Sequence, residues 1–154
     1  MINTIEKPIE NIEAEQIVIS CMFYSEESLD AAVNLLNADM FFRLNHQQIF
    51  RVLARMKGEG KPITAVTVRE EFGDDLEPFG GPVHFHELVN NSMPSDEPYV
   101  AYYAKIIKQK WVARKLIEAY RTGIKSLNDG EDPFDNLAGI HQLAIDLESD
   151  NKKA

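Results

Sequence analysis

The string Gly58-Glu59-Gly60-Lys61-Pro62 is the nearest this chain comes to a phosphate-binding loop. A Walker A loop needs glycines and a Lys-Ser or Lys-Thr pair, so that backbone amides and the lysine cradle the phosphates. Here Pro62 stands in place of the hydroxyl, the glycine spacing is wrong and no strand pattern precedes it. The string reads as a turn that ends a helix. His84-Phe85-His86 would place two histidines on one face of a strand, where they could share a metal. On a short helix they lie about 200° apart, and no Cys or third His is near in the sequence. Glu70-Glu71 and Asp74-Asp75 could do acid–base work only in a cleft that drives their environments apart. At the end of a short helix in an acidic stretch they read as a solvated face. His46, in the first turn of its helix, reads as structural. Cys21 lies in an apolar helical pattern and reads as a small core residue. No nucleophile, base and orienting group can be assembled, so no catalytic, cofactor-binding or metal-ligating residue is expected.

The stretch from Lys105 to Lys125 offers a different chemistry, basic residues interleaved with aromatics that could stack on bases. Residues 98–127 hold seven basic side chains and one acidic, while residues 128–151 hold seven acidic and none basic. The acidic stretch would neutralise much of the basic one. The chain of 154 residues has a net charge of −9, and phosphate backbones attract basic surfaces, so little direct DNA binding is expected. With 44% hydrophobic and 27% charged residues the composition is that of an ordinary globular domain. A single cysteine makes no internal disulfide, which fits a reducing compartment. No stretch approaches the roughly 20 apolar residues that span a bilayer, and Met1–Glu10 has no signal-peptide pattern. A cytoplasmic location is expected, without a membrane.

The elements that must position these residues read as helices throughout. Ala14, Ile17, Val18, Cys21 and Met22 form one face of a helix from about Ile12 to Phe23, with Glu13 and Glu15 in the first turn where the helix dipole favours anions. Leu29, Ala32, Val33 and Leu36 mark a second helix from about Ser28. Asn45 and Gln48 suggest a capping box for a third, with Ile49, Phe50, Leu53 and Met56 on its buried face. Thr64 caps a fourth, through Phe72. Gly80-Gly81-Pro82 opens a fifth, with Pro82 in the first helical position and Val83, Leu88 and Val89 inside. Asn90–Asp96 is polar and reads as a loop.

From Pro98 the periodicity runs unbroken to about Leu127. Tyr99, Tyr103, Ile106, Lys110, Ala113, Ile117, Tyr120, Ile124 and Leu127 alternate in steps of four and three, a heptad-like seam. Asn128-Asp129-Gly130 turns the chain. Asp132-Pro133 starts a last helix with Leu137, Ile140, Ala144 and Leu147 as its stripe and His141 at the stripe's edge; the tail after Ser149 reads as frayed. The expected fold is therefore all-α: residues 1–97 form a compact bundle of about five short helices, and residues 98–150 form a long helix leading into a helical hairpin. The arms carry opposite charge, so antiparallel packing would bring the charges together. The hairpin either folds back on the bundle or packs between subunits.

In order along the chain stand Glu13-Ala14-Glu15-Gln16, Asp39 through Phe50 (Asp-Met-Phe-Phe-Arg-Leu-Asn-His-Gln-Gln-Ile-Phe), Gly60-Lys61-Pro62-Ile63, Gly80-Gly81 and Tyr103-Ala104-Lys105-Ile106-Ile107. Together, over roughly Pro8 to Leu147, these resemble the N-terminal domain of the DnaB-family replicative DNA helicases. The chain departs from the usual pattern at Ile19-Ser20, Thr64, Pro82 and His84, with apolar and capping roles kept. The resemblance implies a non-catalytic collar domain of a hexameric ring, whose hairpins pair between subunits and which docks primase and in some systems a helicase loader. It implies a homo-oligomer, dimer or hexamer ring. It also implies that ATP and Mg belong to a motor domain that unwinds DNA 5′ to 3′, no motif of which appears here. A stand-alone phage-type protein of the same fold, joining or inhibiting helicase rings, and a helical DNA-binding regulator are the alternatives. On this reading Tyr103, Ile106, Ala113, Ile117, Tyr120 and Ile124 on the first arm form the subunit interface with Leu137, Ile140, Ala144 and Leu147 on the second. Lys105, Lys108, Lys110, Arg114 and Lys115 are the candidates for steering an acidic partner.

Overall fold

A computed structural model describes residues 7–90 and 97–151. Among the described residues there is no strand, and the fold is all-α as expected. The predicted loop lies, from residue 91 on, outside the described residues; the predicted tail is helical through Asn151 and lies outside them beyond that. The chain divides into two compact units. One is Glu10–Lys108, called the head below; the other runs from Gln109 onward and includes the N-terminal residues through Ile9.

The head contains α1 (Ile12–Tyr24), α2 (Glu26–Leu35), a 3-10 turn at Ala38–Met40, α3 (Leu44–Gly58), α4 (Ala65–Glu71), a 3-10 turn at Glu77–Phe79, α5 (Pro82–Asn90) and the first turns of α6 (Glu97–Asn128). α1 lies at its centre, packed against α2, α3 and α5. Ala14, Val18, Cys21 and Met22 are buried as the periodicity predicts, but Glu15, Ile19 and Ser20 are buried as well. A helix that carries apolar residues on most of its sides is covered on most of its sides, so α1 is a core helix rather than an amphipathic one. α3 matches its prediction, with Ile49, Phe50, Leu53 and Met56 no more than 3% exposed.

Three expectations are corrected. α2 begins at Glu26, because the Ser25 hydroxyl accepts a hydrogen bond from the Ser28 amide at 3.1 Å and caps it there. The capping box of Asn45 and Gln48 does not form. α3 begins at Leu44 with no side-chain cap of its own, and Asn45 Nδ2 instead donates to the Pro78 carbonyl at 2.9 Å. In α5 the anchor is Phe85, 1% exposed, and not Val83, which is 69% exposed. Phe85 meets Phe79 edge-on at 4.8 Å between ring centroids, and Phe79 meets Phe72 at 4.9 Å. The predicted cap of α4 is present, as Thr64 and Thr67 bond reciprocally.

Glu71 closes the connection between α3 and α4. Its carboxylate accepts from Arg55 Nη2 at 2.7 Å and from Lys61 Nζ at 2.6 Å. The Lys61 bond holds the Glu71 carboxyl below its ordinary value, and the same bond, with help from Glu59, raises Lys61. A carboxyl lowered on folding stabilises above its unfolded value and loses that contribution as pH falls through the folded one. A lysine raised on folding stabilises below its unfolded value and loses that contribution as pH rises through the folded one. Both contributions are thus in place between the ordinary values of 4.5 and 10.5. Exposed pairs contribute little, so Glu71→Gln is expected to flatten the acid limb of a stability-against-pH curve while barely moving the neutral-pH midpoint. Leu53→Ala, at a wholly buried position, is expected to cost about 2–5 kcal/mol in urea unfolding.

Candidate assembly surface and head cleft

α6 buries one face: Val100, Ala104, Ile107 and Trp111, at i, i+4, i+7 and i+11, are each no more than 5% exposed. The heptad seam read from the sequence lies beside that face. Tyr103, Ile106, Ala113 and Ile117 are half-buried, while Tyr99, Tyr120, Ile124 and Leu127 are exposed, Tyr120 at 53% and Ile124 at 62%. The packed face was missed because Trp111 registers as one more aromatic, although Val100, Ala104, Ile107 and Trp111 keep helical spacing. The Trp111 indole N–H is buried with no hydrogen-bond partner among the described residues, a cost that the apolar burial of this face must offset.

The second arm is α7 (Pro133–Asn151). The turn forms as predicted: Gly130 takes a φ of 86°, a left-handed conformation that favours glycine, and Asp132 Oδ1 accepts from the Phe134 amide at 2.9 Å. The arms approach closely near the turn. Asn136 Nδ2 donates to the Gly123 carbonyl at 3.3 Å, and a Cβ at position 123 would come within 3.1 Å of the Asn136 side chain. Around that contact the arms flank an open groove of about 660 Å³, lined by Ala119, Thr122, Asn136, Ile140 and Leu143 among others. Leu137 is 64% exposed, Ile140 42%, and Ala144 is exposed. Leu147, also assigned to the interface, is already buried at 9%. Phe134 at 78% and Ile145 at 47% add apolar surface that the stripe omitted.

The candidate steering residues do not form one surface. Lys105 is exposed, and Lys110, Arg114 and Lys115 are half-buried. Arg114 Nη1 donates to the Ile9 carbonyl at 2.8 Å. Lys108 is 8% exposed, the most buried of the five.

The head carries a second concave feature, a cleft of about 390 Å³ bounded by α1, the start of α3, the Glu77–Phe79 turn and α5. Ile17, Ile49, Phe79 and Leu88 supply its apolar lining, and Glu13, Arg43 and Glu87 its charge. Ser20 Oγ donates to the Leu88 carbonyl at 2.9 Å and ties α1 to α5. His46 also lines the cleft and is 6% exposed. Its Nδ1 lies 2.8 Å from Oε1 of Glu15, itself 1% exposed. The Glu15 carboxylate also accepts from the Phe42 amide at 2.7 Å and the Arg43 amide at 3.4 Å. It thus binds the chain just before α3, the helix that lacks a cap of its own. His84 and His86, weighed as metal ligands, engage Glu87 at 3.7 Å and Asn90 at 3.1 Å respectively. Among the described residues no cluster of His, Cys, Asp and Glu could hold a metal.

The all-α architecture, short helices followed by the long α6 and by α7, defines a fold class. The sequence model of the DnaB-like helicase N terminal domain matches residues 7–109, and the chain belongs to that family. The matched region is the helicases' non-catalytic domain. Among relatives, the replicative DNA helicase DnaC of Bacillus subtilis is 36% identical over 143 residues, covering 90% of this chain and 30% of the relative. The replicative DNA helicase DnaB of Geobacillus stearothermophilus is 36% identical over 135 residues, 84% of this chain and 29% of the relative. The chain therefore spans less than a third of the length of these relatives. The crystal structure of the N-terminal domain of DnaB helicase from Mycobacterium tuberculosis superposes with a TM-score of 0.71 at 24% identity, covering 96% of this chain and 100% of that one. It shows the same fold.

Glu15 is the residue of the head whose loss is expected to cost most per atom removed. Glu15→Ala leaves His46 and two backbone amides without their acceptor and is expected to lower stability by about 3–5 kcal/mol in chemical denaturation. Glu13→Ala, two positions away and exposed, should change it by less than about 0.5 kcal/mol.

Proposed function

We propose that this chain acts as the collar domain of a ring-shaped replicative helicase, with residues 1–97 as its helical bundle and residues 98–150 as its assembly element. The observation that carries the reading is the apolar surface left open on the hairpin, from Tyr120 and Ile124 on α6 to Phe134, Leu137 and Ile140 on α7. Contiguous exposed apolar surface of this kind marks an interaction site, and a groove between the arms gives a second copy's side chains somewhere to go. Hairpins of neighbouring copies pair, giving a dimer or a hexamer ring, and the collar docks primase and in some systems a helicase loader. ATP and Mg serve a motor domain outside this chain. The work is done in the cytoplasm, and no helix among the described residues is long and apolar enough to cross a membrane. A stand-alone protein that joins or blocks helicase rings would use the same surface.

Light scattering across a concentration series tests the reading, with Tyr120→Glu and Ile124→Glu beside the parent chain. The parent is expected as a dimer or hexamer and each variant as a folded monomer, because a buried unpaired carboxylate is costly. A parent that stays monomeric at every concentration, with variants indistinguishable from it, would remove the hairpin as an assembly surface.

A further inference from the structure

We propose that the head cleft is a binding site for a basic protein segment, one that inserts an arginine or lysine side chain between α1 and α5. The proposal is independent of hairpin pairing, because every residue that lines the cleft belongs to the head. Its volume of about 390 Å³ falls at the lower end of the range for ligand sites, room for one or two long side chains rather than a helix.

The chemistry of the walls selects the occupant. Ile17 and Leu88, both half-buried, offer aliphatic surface, which suits the methylene stem of a long cationic side chain. Two carboxylates, Glu13 on α1 and Glu87 on α5, stand on the lining against a single permanent cation, Arg43. The field of the whole head points the same way. Residues 10–108 hold 16 acidic and eight basic side chains, a net of −8 out of the chain's −9. Such a field raises the local concentration of a cationic segment and speeds its encounter. An anionic ligand would meet the same field as repulsion.

The test is a titration of the whole 154-residue chain, followed by amide resonances in two-dimensional NMR. The probes are the blocked tripeptide acetyl-Leu-Arg-Leu-amide and its counterpart with Glu in place of Arg. The arginine peptide is expected to shift the amides of Ile17, Ser20, Ile49 and Leu88 with an affinity of about millimolar. Raising the salt should weaken it. The exposed pair Glu13→Gln and Glu87→Gln, which leaves the core untouched, should weaken it about three- to tenfold together. The proposal fails if the glutamate peptide shifts the same amides equally, if the arginine peptide leaves them unmoved, or if the double variant binds as well as the parent. Shifts of the same amides that grow with protein concentration in the absence of peptide would assign the cleft to a second copy and also overturn it.

Discussion

The carboxylate of Glu15 is the point on which the head depends. α1 is packed against α2, α3 and α5 and Glu15 is 1% exposed, so an uncompensated charge at that position would be prohibitive. Glu15 is satisfied by His46 and by the Phe42 and Arg43 amides. Those amides lead into α3, whose own sequence supplies no side-chain cap. The buried carboxylate thus finds its donors in the segment that enters α3 and in a side chain of that helix's first turn. It also fixes register, because α3 can sit only where residues 42, 43 and 46 all reach the same two oxygens. With α3 placed, Asn45 reaches the Pro78 carbonyl and holds the Glu77–Phe79 turn, and the Phe72, Phe79 and Phe85 rings stack their edges behind it. The cleft is the space these constraints leave between α1 and α5.

The hairpin obeys an opposite logic. Its first arm spends its best apolar face, Val100 to Trp111, on burial within the chain. Past Trp111 no residue of α6 is fully buried, and on α7 only Leu147 is. Asn136 and Gly123 pin the arms near the turn, and an open groove flanks that contact. A structure that buries so little cannot derive its order from hydrophobic packing alone. The helices persist because propensity and backbone bonding carry a long helix that tertiary contacts only partly support. Among the described residues the seam is half-covered from Tyr103 to Ile117 and exposed at Tyr120, Ile124 and Leu127.

How much of this was legible in the sequence follows from the kind of force involved. Elements held by apolar periodicity or by local backbone chemistry were readable: the buried face of α3, the Thr64 cap, Pro82 opening α5, the Gly130 turn and the Asp132 cap. Features set by contacts distant in sequence were not. Nothing local says that Glu15 will meet His46, and a glutamate in the first turn of a helix reads as dipole chemistry. A signal did exist, since apolar residues on most sides of α1 imply that any charge among them is buried. The capping box at Asn45 fails for the related reason that the Asn45 side chain is engaged by the Pro78 carbonyl, 33 residues on. On α6 two overlapping stripes both keep helical spacing, and periodicity cannot say which of them the rest of the chain covers. The seam chosen from sequence was the half-exposed one, and Lys108 was taken for a surface charge although it faces inward.

Charge completes the division of labour. The head carries almost all of the net charge, whereas the hairpin pairs a basic arm with an acidic one. A hairpin of balanced charge can approach a copy of itself without strong repulsion, and its apolar seam then supplies the binding energy. An acidic head cannot approach its own kind as easily, so attraction there must come from a partner of opposite sign. Exposed charges add little affinity, but they set encounter rate and orientation. On the two proposals made above, one chain presents two surfaces that do not compete: a neutral, apolar one suited to like, and an acidic, concave one suited to unlike.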